Sequence, residues 1–233
     1  MNKTLSLLLL SACLLSASLV SLARPIRGAS AASSEEFPAN DPLPYGAIPV
    51  EYIESTGTQY IDTGYVYDNS LAYEIDCHML GTASESGVFC GIGSGARFEL
   101  SVSVSQGRFF AGFGSTQRFS LGSYDNLRHI FFASIKDGFF IDGILQATFG
   151  TNSQAFGRTL GLFMRDTNNR SHPALCRMYR ATFASNDGII FDFIPVRFTN
   201  EFDEPEGALY DRVSNALFRN QGTGSFLIGP DKE

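Results

Sequence analysis

The sequence contains no tryptophan and few charged residues. None of its 233 residues is Trp and only 18% are Asp, Glu, Lys or Arg, whereas 21 are Phe and 23 are Gly. Lys and Arg number 17 against 24 Asp and Glu, which gives a net charge of −7. Affinity for a phosphate backbone comes mostly from clustered Lys and Arg, so this balance argues against a nucleic-acid partner. The absence of Trp also removes the largest surface on which a sugar ring stacks.

Motifs for metal binding and for common catalytic chemistry are missing as well. The three histidines, His78, His129 and His172, are scattered and form no His-x-His or His-x3-His pair of the kind that ligates zinc. The chain has neither a Gly-x-Ser-x-Gly nucleophile elbow nor a Gly-x4-Gly-Lys-Ser/Thr phosphate loop. No cofactor is therefore predicted from sequence motifs.

Apolar and polar residues alternate with a period of two in many short segments, and no segment carries a helical stripe of apolar residues. Along residues 71–79, for example, Tyr73, Ile75 and Cys77 alternate with Glu74 and Asp76. Further strands are predicted at residues 98–104, 108–113, 130–135, 139–141, 144–149, 159–163, 175–183 and 189–197. Asp-Gly pairs at 137–138, 142–143 and 187–188 are typical of hairpin turns. This pattern predicts an all-β fold in which two antiparallel sheets pack against each other.

The N-terminus has the pattern of a secretory signal peptide. Lys3 precedes an apolar stretch over residues 4–22, and small residues at Ser21 and Ala23 predict cleavage after Ala23. A second interpretation is a lipoprotein box ending at Cys13, whose side chain would be lipidated. Either way the protein is expected to be secreted or held at the cell envelope.

Composition divides the chain into three segments. Residues 1–23 are the predicted signal peptide, and residues 24–49 are rich in Ser, Ala and Pro, which predicts a flexible linker. Residues 50–230 form the predicted folded domain. No later segment is long and apolar enough for a membrane helix, so no membrane span is expected in the mature chain.

Export permits disulfide bonds, and two cysteines are spaced for one. A hairpin centred on residues 81–86 would place Cys77 opposite Cys90, at a separation that a disulfide accepts. The alternative is that both are core thiols facing each other. Cys176 is predicted to be a buried core residue.

Motifs at both ends of the domain carry a family resemblance. Residues 50–65 read VEYIESTGTQYIDTGY, and the closing segments at 191–197, 207–211, 220–226 and 229–230 read FDFIPVR, GALYD, NQGTGSF and GP. Weaker motifs are RHI at 128–130, KDG at 136–138, FIDG at 140–143 and LGLFMRD at 160–166. Together they resemble the concanavalin A-like lectin/glucanase (laminin-G-like) jelly-roll family of bacterial secreted and surface proteins and phage-tail proteins.

The resemblance implies a two-sheet jelly-roll sandwich in which the first and last strands lie side by side. Residues 51–54 would then pair with the C-terminal strands. Gly57, Gly64, Gly222 and Gly224 would occupy turns that do not tolerate a Cβ. On this interpretation the terminal motifs define the fold rather than a binding site.

The glucanases of this fold class carry Glu-x-Asp followed by a second Glu on one strand, because retaining hydrolysis requires two carboxyl groups about 5 Å apart. Glu74 and Asp76 match the first half of that motif, but the second Glu is absent at either spacing. Glu99, on the next predicted strand, is the remaining substitute. We therefore predict that the protein is not an enzyme and that Glu74 and Asp76 lie on a solvated face.

Lectin-like sandwiches bind sugars through aromatic side chains and through loops of Asp and Asn that sometimes hold calcium. The candidate ligand-binding residues here are Tyr65, Tyr67, Asp166, Asn168, Asn169 and Arg170. Calcium is not indicated by a motif. The predicted function is a carbohydrate-binding or adhesion module that recognises a polysaccharide or glycoconjugate. The alternative is a structural or decorating domain that contacts a surface protein, and a degenerate glycoside hydrolase is a third hypothesis.

Overall fold

The fold is built from short antiparallel strands, and we describe it from a computed structural model that covers residues 43–66, 70–81, 97–103, 105–150, 159–166 and 171–232. One 3-10 turn, Pro44–Gly46, precedes the strands, and the described residues contain no α-helix. The strands are β1 (Ile48–Pro49), β2 (Ile53–Thr56), β3 (Ile61–Val66), β4 (Ala72–Met79), β5 (Arg97–Ser103), β6 (Arg108–Gly114), β7 (Thr116–Phe119), β8 (Arg128–Ser134), β9 (Gly138–Ile141), β10 (Ile144–Ala147), β11 (Thr159–Leu162), β12 (Met164–Asp166), β13 (Ser171–Pro173), β14 (Leu175–Ser185), β15 (Gly188–Thr199), β16 (Pro205–Asp211), β17 (Ala216–Phe218) and β18 (Leu227–Ile228).

Most of these strands join one large antiparallel sheet. Its order is β10-β9-β8-β4-β14-β15-β16-β17, with β1 paired to β15 and β2 paired to β14 and β18. The three predicted Asp-Gly turns all lie between neighbouring strands of this sheet. In the turn between β9 and β10, Asp142 and Gly143 have φ of 50° and 76°, a left-handed conformation that Asp tolerates and Gly adopts freely.

A second layer covers one face of the large sheet. It contains the three-stranded sheet β5-β6-β7 and the pair β3-β11. Aromatic rings join the two layers: Tyr73 of β4 contacts Phe98 at 5.3 Å between ring centroids, and Phe109 of β6 contacts Phe131 of β8 at 5.0 Å. The alternation in the sequence therefore places one apolar face of each strand in a shared core. The fully buried phenylalanines are Phe98, Phe109, Phe113, Phe131, Phe139, Phe163, Phe183 and Phe193.

The two ends of the domain pair with each other, as expected. In the register of β2 and β18, Ile53 lies opposite Ile228, and a further bridge joins Val50 to Asp231. The closing turn packs tightly on the opening segment, because a Cβ on Gly222 would lie 2.0 Å from the carbonyl oxygen of Thr58. Only glycine fits at that position.

Residues 43–49, which the sequence placed at the end of a linker, are part of the packed domain. Leu43 and Ala47 are buried in a second apolar cluster with Val196, Ala208 and Tyr210. Ile48 and Pro49 pair with Arg197 and Val196 of β15. This segment covers the outer face of the large sheet around β15 and β16, whereas residues 1–42 lie outside the described part of the chain.

The sequence predicts a hairpin between β4 and residues 87–92, but β4 pairs with β8 and β14 instead. Both edges of β4 are occupied, since Cys77 lies opposite His129 of β8 on one side and Met178 of β14 on the other. The hairpin argument for a Cys77–Cys90 bridge is therefore wrong. Cys90 lies outside the described residues, so the bridge itself stays a prediction. Cys176 is fully buried, as expected, and burial raises the pKa of its thiol well above the ordinary value.

The predicted all-β architecture with antiparallel sheets is confirmed, and the arrangement in two layers is that of a sandwich. The apolar phase of β4 was also predicted correctly, with Tyr73, Ile75 and Cys77 all fully buried. Alternation in the sequence indicated no strand at β7, β12, β13 and β17, which have three or four residues, nor at the longer strands β3 and β16. In the described ranges no helix is long and apolar enough to cross a bilayer.

Replacement of Gly222 by Ala is expected to destabilise the domain. The added methyl group would overlap the backbone of Thr58, so the closing turn must shift; overpacking of this kind costs roughly 1–3 kcal/mol. Gly122→Ala is the matched control, because nothing described lies within 4 Å of its Cβ position. Urea unfolding of both variants measures the difference. Equal free energies of unfolding would contradict the tight contact between the two ends.

Candidate functional site

The outer face of the large sheet is the side that points away from the core. Near β15 and β16 it is covered by residues 43–49, but across β10, β9, β8, β4 and β14 it faces solvent. Strand register brings side chains from six strands into one row on this face. The row contains Leu145, Phe140, Phe132, Glu74, Thr182 and Asp192, in that order across the sheet.

The apolar end of the row is formed by an aromatic pair. The rings of Phe132 and Phe140 lie 5.6 Å apart in an edge-to-face arrangement, and both side chains are half-buried. Leu145 continues the row at 44% exposure, and Ile130, two residues before Phe132 on β8, is 47% exposed. Side chains that face the core side of these strands, such as Phe131 and Phe139, are fully buried, so the outer aromatic pair is additional to the core.

Glu74 lies directly beside this pair, opposite Phe132 in the register of β4 and β8. It is half-buried, and its carboxylate has no hydrogen bond or ion pair with any described residue. Burial raises the pKa of Glu74 above the ordinary value; Arg180 opposes the shift, and Asp76 and Asp192 add to it. The row therefore places an unpaired carboxylate with a raised pKa next to aromatic rings.

The acidic residues around Glu74 are neutralised by arginines. Asp76 accepts two hydrogen bonds from Arg128, at 2.7 and 2.6 Å. Asp192 is contacted by Arg180, at 3.0 Å between Nη2 and Oδ1, and by Arg212 through its other carboxylate oxygen. The bidentate Arg128–Asp76 pair holds both side chains in a fixed geometry.

Beyond these pairs the outer face carries a ladder of Arg and Tyr side chains. The rings of Tyr52 and Tyr179 lie 5.5 Å apart. The guanidinium of Arg128 stacks 3.7 Å from the ring centroid of Tyr179, and that of Arg177 lies 4.7 Å from the centroid of Tyr52. Arg177 also donates to Glu54 at 2.6 Å. Cation–π contacts therefore cover part of both tyrosine rings. Among the described contacts, no arginine lies over the ring of Phe132 or Phe140.

Lys232 lies at the edge of the ladder. Burial lowers the pKa of its amine, and the positive charges of Arg128 and Arg180 lower it further, against the smaller effects of Asp76 and Glu51. Its charge is therefore less favoured there than in water. It is the one described lysine that approaches the ion pairs of the outer face.

Of the ligand-binding residues predicted from the sequence, only Tyr65 has a described side chain. Tyr65 is half-buried, and its ring contacts Phe191 edge-to-face at 5.9 Å, so it packs against the core rather than forming an open platform. The backbone of Asp166 pairs with Ser171 at the end of a β12–β13 hairpin. The side chain of Asp166 and the residues Tyr67, Asn168, Asn169 and Arg170 lie outside the described parts.

Glu74 and Glu99 do not form a carboxylate pair. Glu99 is fully buried on β5 in the second layer, where it accepts a hydrogen bond from Gln117 at 3.3 Å. Its neighbour Phe98 faces the core, so Glu99 points to the opposite side of that sheet, whereas Glu74 points outward from the large sheet. Both layers of the sandwich separate the two side chains. Glu74 is also half-buried rather than fully solvated, which corrects the sequence expectation for that residue.

A separate polar cluster lies around His129 at the end of β8. Its ring nitrogens contact Asp142 at 2.6 Å and Asp125 at 2.9 Å, and the side chain is 12% exposed. Burial lowers the pKa of His129, but the hydrogen bonds to both carboxylates outweigh this and raise it above 6.5. The ring also packs against Phe109 and Phe131. Because both nitrogens contact carboxylates, this cluster fastens the loop before β8 to the β9–β10 turn.

Sequence reasoning missed the outer-face row because its members come from six strands. Of the six residues in the row, only Glu74 is a candidate functional residue from the sequence, as part of an incomplete catalytic motif. A signal did exist: Phe132 and Phe140 occupy the outward phase of strands whose inward phase is already apolar. Aromatic residues on both phases of neighbouring strands indicate a second apolar surface.

Comparison of the chain with protein-family models, curated protein sequences and solved structures finds no match. Within the described ranges, no group of three or more His, Cys, Asp and Glu side chains is arranged to hold a metal ion.

The stability contributed by His129 is expected to depend on pH. A folded-state pKa raised above 6.5 means that the stabilisation is fully present below about pH 6.5 and is lost as the pH rises through the folded-state value. The difference in free energy of unfolding between wild type and His129→Gln should therefore shrink as the pH rises above about 6.5. Denaturant unfolding at a series of pH values measures it.

Asp142→Asn is the control for this interpretation, since it removes one of the two carboxylates and should reduce the pH dependence. Parallel stability curves for wild type and His129→Gln across the same range would show that the carboxylates do not hold a protonated ring.

Proposed function

We propose that this protein is an exported, non-enzymatic β-sandwich that binds carbohydrate on the outer face of its large sheet. One observation carries the proposal: the cross-strand row places the half-buried aromatic pair Phe132 and Phe140 beside the unpaired carboxylate of Glu74. Aromatic rings stack on the C–H faces of sugars, and a carboxylate accepts hydrogen bonds from hydroxyl groups. The row supplies both on a surface that faces solvent.

The row is well shaped for an extended ligand. Neighbouring strands lie about 4.8 Å apart, so the distance across the six strands from Leu145 to Asp192 is roughly 24 Å. That interval between strands is comparable to the length of one sugar unit in an extended polysaccharide. Thr182 and Asp192 are buried, so a chain laid across the strands would meet the row from Leu145 to Glu74.

We further propose that the sandwich is a jelly roll of the concanavalin A-like lectin/glucanase superfamily. The pairing of β2 with β18 and the close fit of Gly222 against Thr58 support it, because the terminal motifs that carry the resemblance lie side by side.

The same resemblance includes glucanases, but Glu74 and Glu99 project to different sides of the sandwich. This separation supports a binding role over a two-carboxylate hydrolase built from them.

Export is proposed from the N-terminal pattern alone. A basic residue, an apolar stretch and small residues at Ser21 and Ala23 make the signal for secretion or delivery to the cell envelope.

The absence of Trp does not remove the sugar-binding surface, because Phe132 and Phe140 supply the stacking rings.

The second candidate function is a structural or decorating domain that contacts a surface protein. The observation that favours it is the apolar edge of the large sheet, where Ile144 is 61% and Leu145 44% exposed on β10. Exposed apolar side chains on an edge strand are suited to contact with another polypeptide.

Carbohydrate binding is tested on a glycan array with the domain produced from residue 24 onward. Phe132→Ala and Phe140→Ala should each weaken binding about tenfold or more, because each removes part of the stacking surface. Phe202→Ala is the matched control, since Phe202 is 74% exposed on the turn between β15 and β16 and belongs to no described part of the row. It should bind as the wild type does.

Binding to no glycan by the folded wild-type domain would overturn the proposal and leave protein contact as the remaining function. Binding that survives both Phe substitutions but is lost in Phe202→Ala would place the site elsewhere. Thermal unfolding of each variant shows whether a loss of binding comes from a loss of the fold.

A further inference from the structure

We propose that the polysaccharide bound by the outer face carries free ammonium groups, and that an ammonium binds between the carboxylate of Glu74 and the rings of Phe132 and Phe140. This rests on the proposed function and goes further, because it names amino polysaccharides as the ligand class. A side-chain arrangement that occurs three times elsewhere on the same face supports it.

Three arginines of the outer face each join an aromatic ring to a carboxylate. The sets are Arg128 with Tyr179 and Asp76, Arg177 with Tyr52 and Glu54, and Arg219 with Phe198 and Glu206. The guanidinium carbon lies 3.7, 4.7 and 4.9 Å from the ring centroid, in that order. Each arginine also donates to its carboxylate at 2.6 Å. A cation held in this way gains from the ring and from a charge-assisted hydrogen bond together.

Glu74 and its aromatic neighbours form the same arrangement without an arginine. Among the described residues, no cation lies over the ring of Phe132 or Phe140, and no donor forms a hydrogen bond with Glu74. Directly opposed residues of antiparallel strands have Cβ atoms about 4.5–5.5 Å apart, so a compact cation can contact Phe132 and Glu74 at once. Both side chains are half-buried, which strengthens both contacts relative to a fully exposed site.

The charged neighbours of Glu74 leave its carboxylate available to a cation. They are Asp76 on its own strand, Arg180 from β14 and Asp192 from β15, while Phe132 faces it from β8. The guanidinium of Arg180 donates to Asp192 instead, at 3.1 Å from Nε and 3.0 Å from Nη2. Burial raises the pKa of Glu74, and Asp76 and Asp192 add to the shift against Arg180. An ammonium beside Glu74 would favour the ionised carboxylate and so oppose the shift.

An amino sugar fits this site better than other carriers of an ammonium group. Its nitrogen is bonded directly to the pyranose ring, so it donates to Glu74 while the C–H face of the same ring stacks on Phe132. The centroids of Phe132 and Phe140 are 5.6 Å apart, which provides a ring for the next sugar unit. A lysine side chain carries its ammonium on a flexible stem that must be ordered and has no ring face to stack.

The experiment compares ligands that differ mainly in charge. Oligomers of glucosamine and of N-acetylglucosamine of equal length share a backbone, and only the former carry ammonium groups. A glucose oligomer and a uronate oligomer complete the set. Titration calorimetry with the domain from residue 24 onward, at a pH where the amines are protonated, should show the glucosamine oligomer binding at least tenfold more tightly than the others.

Glu74→Gln should weaken binding of the glucosamine oligomer about tenfold, because hydrogen bonds to charged groups contribute more than those to neutral ones. Binding of the N-acetylated oligomer should change far less. Glu201→Gln is the matched control, since it removes the same charge from an exposed turn after β15. It should bind as the wild type does, which separates a site at Glu74 from attraction of a cation to the net negative charge of the protein.

A pH series separates a direct contact from a structural effect. Wild-type affinity for the glucosamine oligomer should fall as the pH drops through the raised pKa of Glu74, because the protonated carboxyl group has no charge. It should also fall at high pH, where the ligand loses its ammonium protons. Glu74→Gln should lose the first fall and keep the second. If thermal unfolding shows that Glu74→Gln does not fold, Glu74→Asp keeps the charge and should bind more weakly with both falls intact.

Equal or tighter binding of the N-acetylated, glucose or uronate oligomer would overturn this inference and leave the proposed function standing. Equal losses of binding in Glu74→Gln and Glu201→Gln would also overturn it, because overall charge would then account for the affinity. An oligolysine that binds more tightly than the glucosamine oligomer and is lost in Glu74→Gln would assign the site to a polypeptide instead. Binding of none of the sugars by the folded domain would overturn the proposed function itself.

Discussion

The register of β4 between β8 and β14 is the constraint on which the rest of the structure depends. It directs Tyr73, Ile75 and Cys77 into the core and Glu74 and Asp76 to the outer face. Because side chains alternate with a period of two, a slip of one residue would exchange the two sets and place carboxylates among the aromatic rings. The same register places Glu74 opposite Phe132 and Asp76 opposite Ile130. Core and candidate site are thus two consequences of one pairing.

Aromatic packing explains the composition of the chain. The core is formed largely by phenylalanine rings that join the two layers, such as Phe98 against Tyr73 and Phe183. These side chains are buried without a polar group that requires a partner, which Trp would bring through its indole N–H. Phenylalanine therefore fills the space between the sheets, and the outer pair of Phe132 and Phe140 repeats the same edge-to-face contact at the surface.

The sequence was sufficient for features that depend on neighbours in the chain. Alternation predicted β4, β6 and β8, and the Asp-Gly pairs predicted three turns, because both depend on local backbone and side-chain preferences. The pairing of the two ends followed from the motifs at each end. Sequence reasoning failed where pairing is not local: it assigned β4 a hairpin with residues 87–92, but its partners β8 and β14 lie far along the chain. It also assigned residues 43–49 to a linker, since a two-residue strand and two buried side chains give no periodic signal.

The pairing that assembles the outer-face row could not be predicted for the same reason, although the outward phase of Phe132 and Phe140 was visible in the sequence. Two properties of the row are also unfavourable for the stability of the fold. An accessible aromatic pair leaves apolar surface in water, and a half-buried carboxylate that has no hydrogen bond in the described part of the chain loses hydration without that gain. The surrounding ion pairs are partly exposed, and pairs of that kind contribute little to stability. On the proposed function, a ligand that covers the rings and donates to Glu74 would remove both costs together.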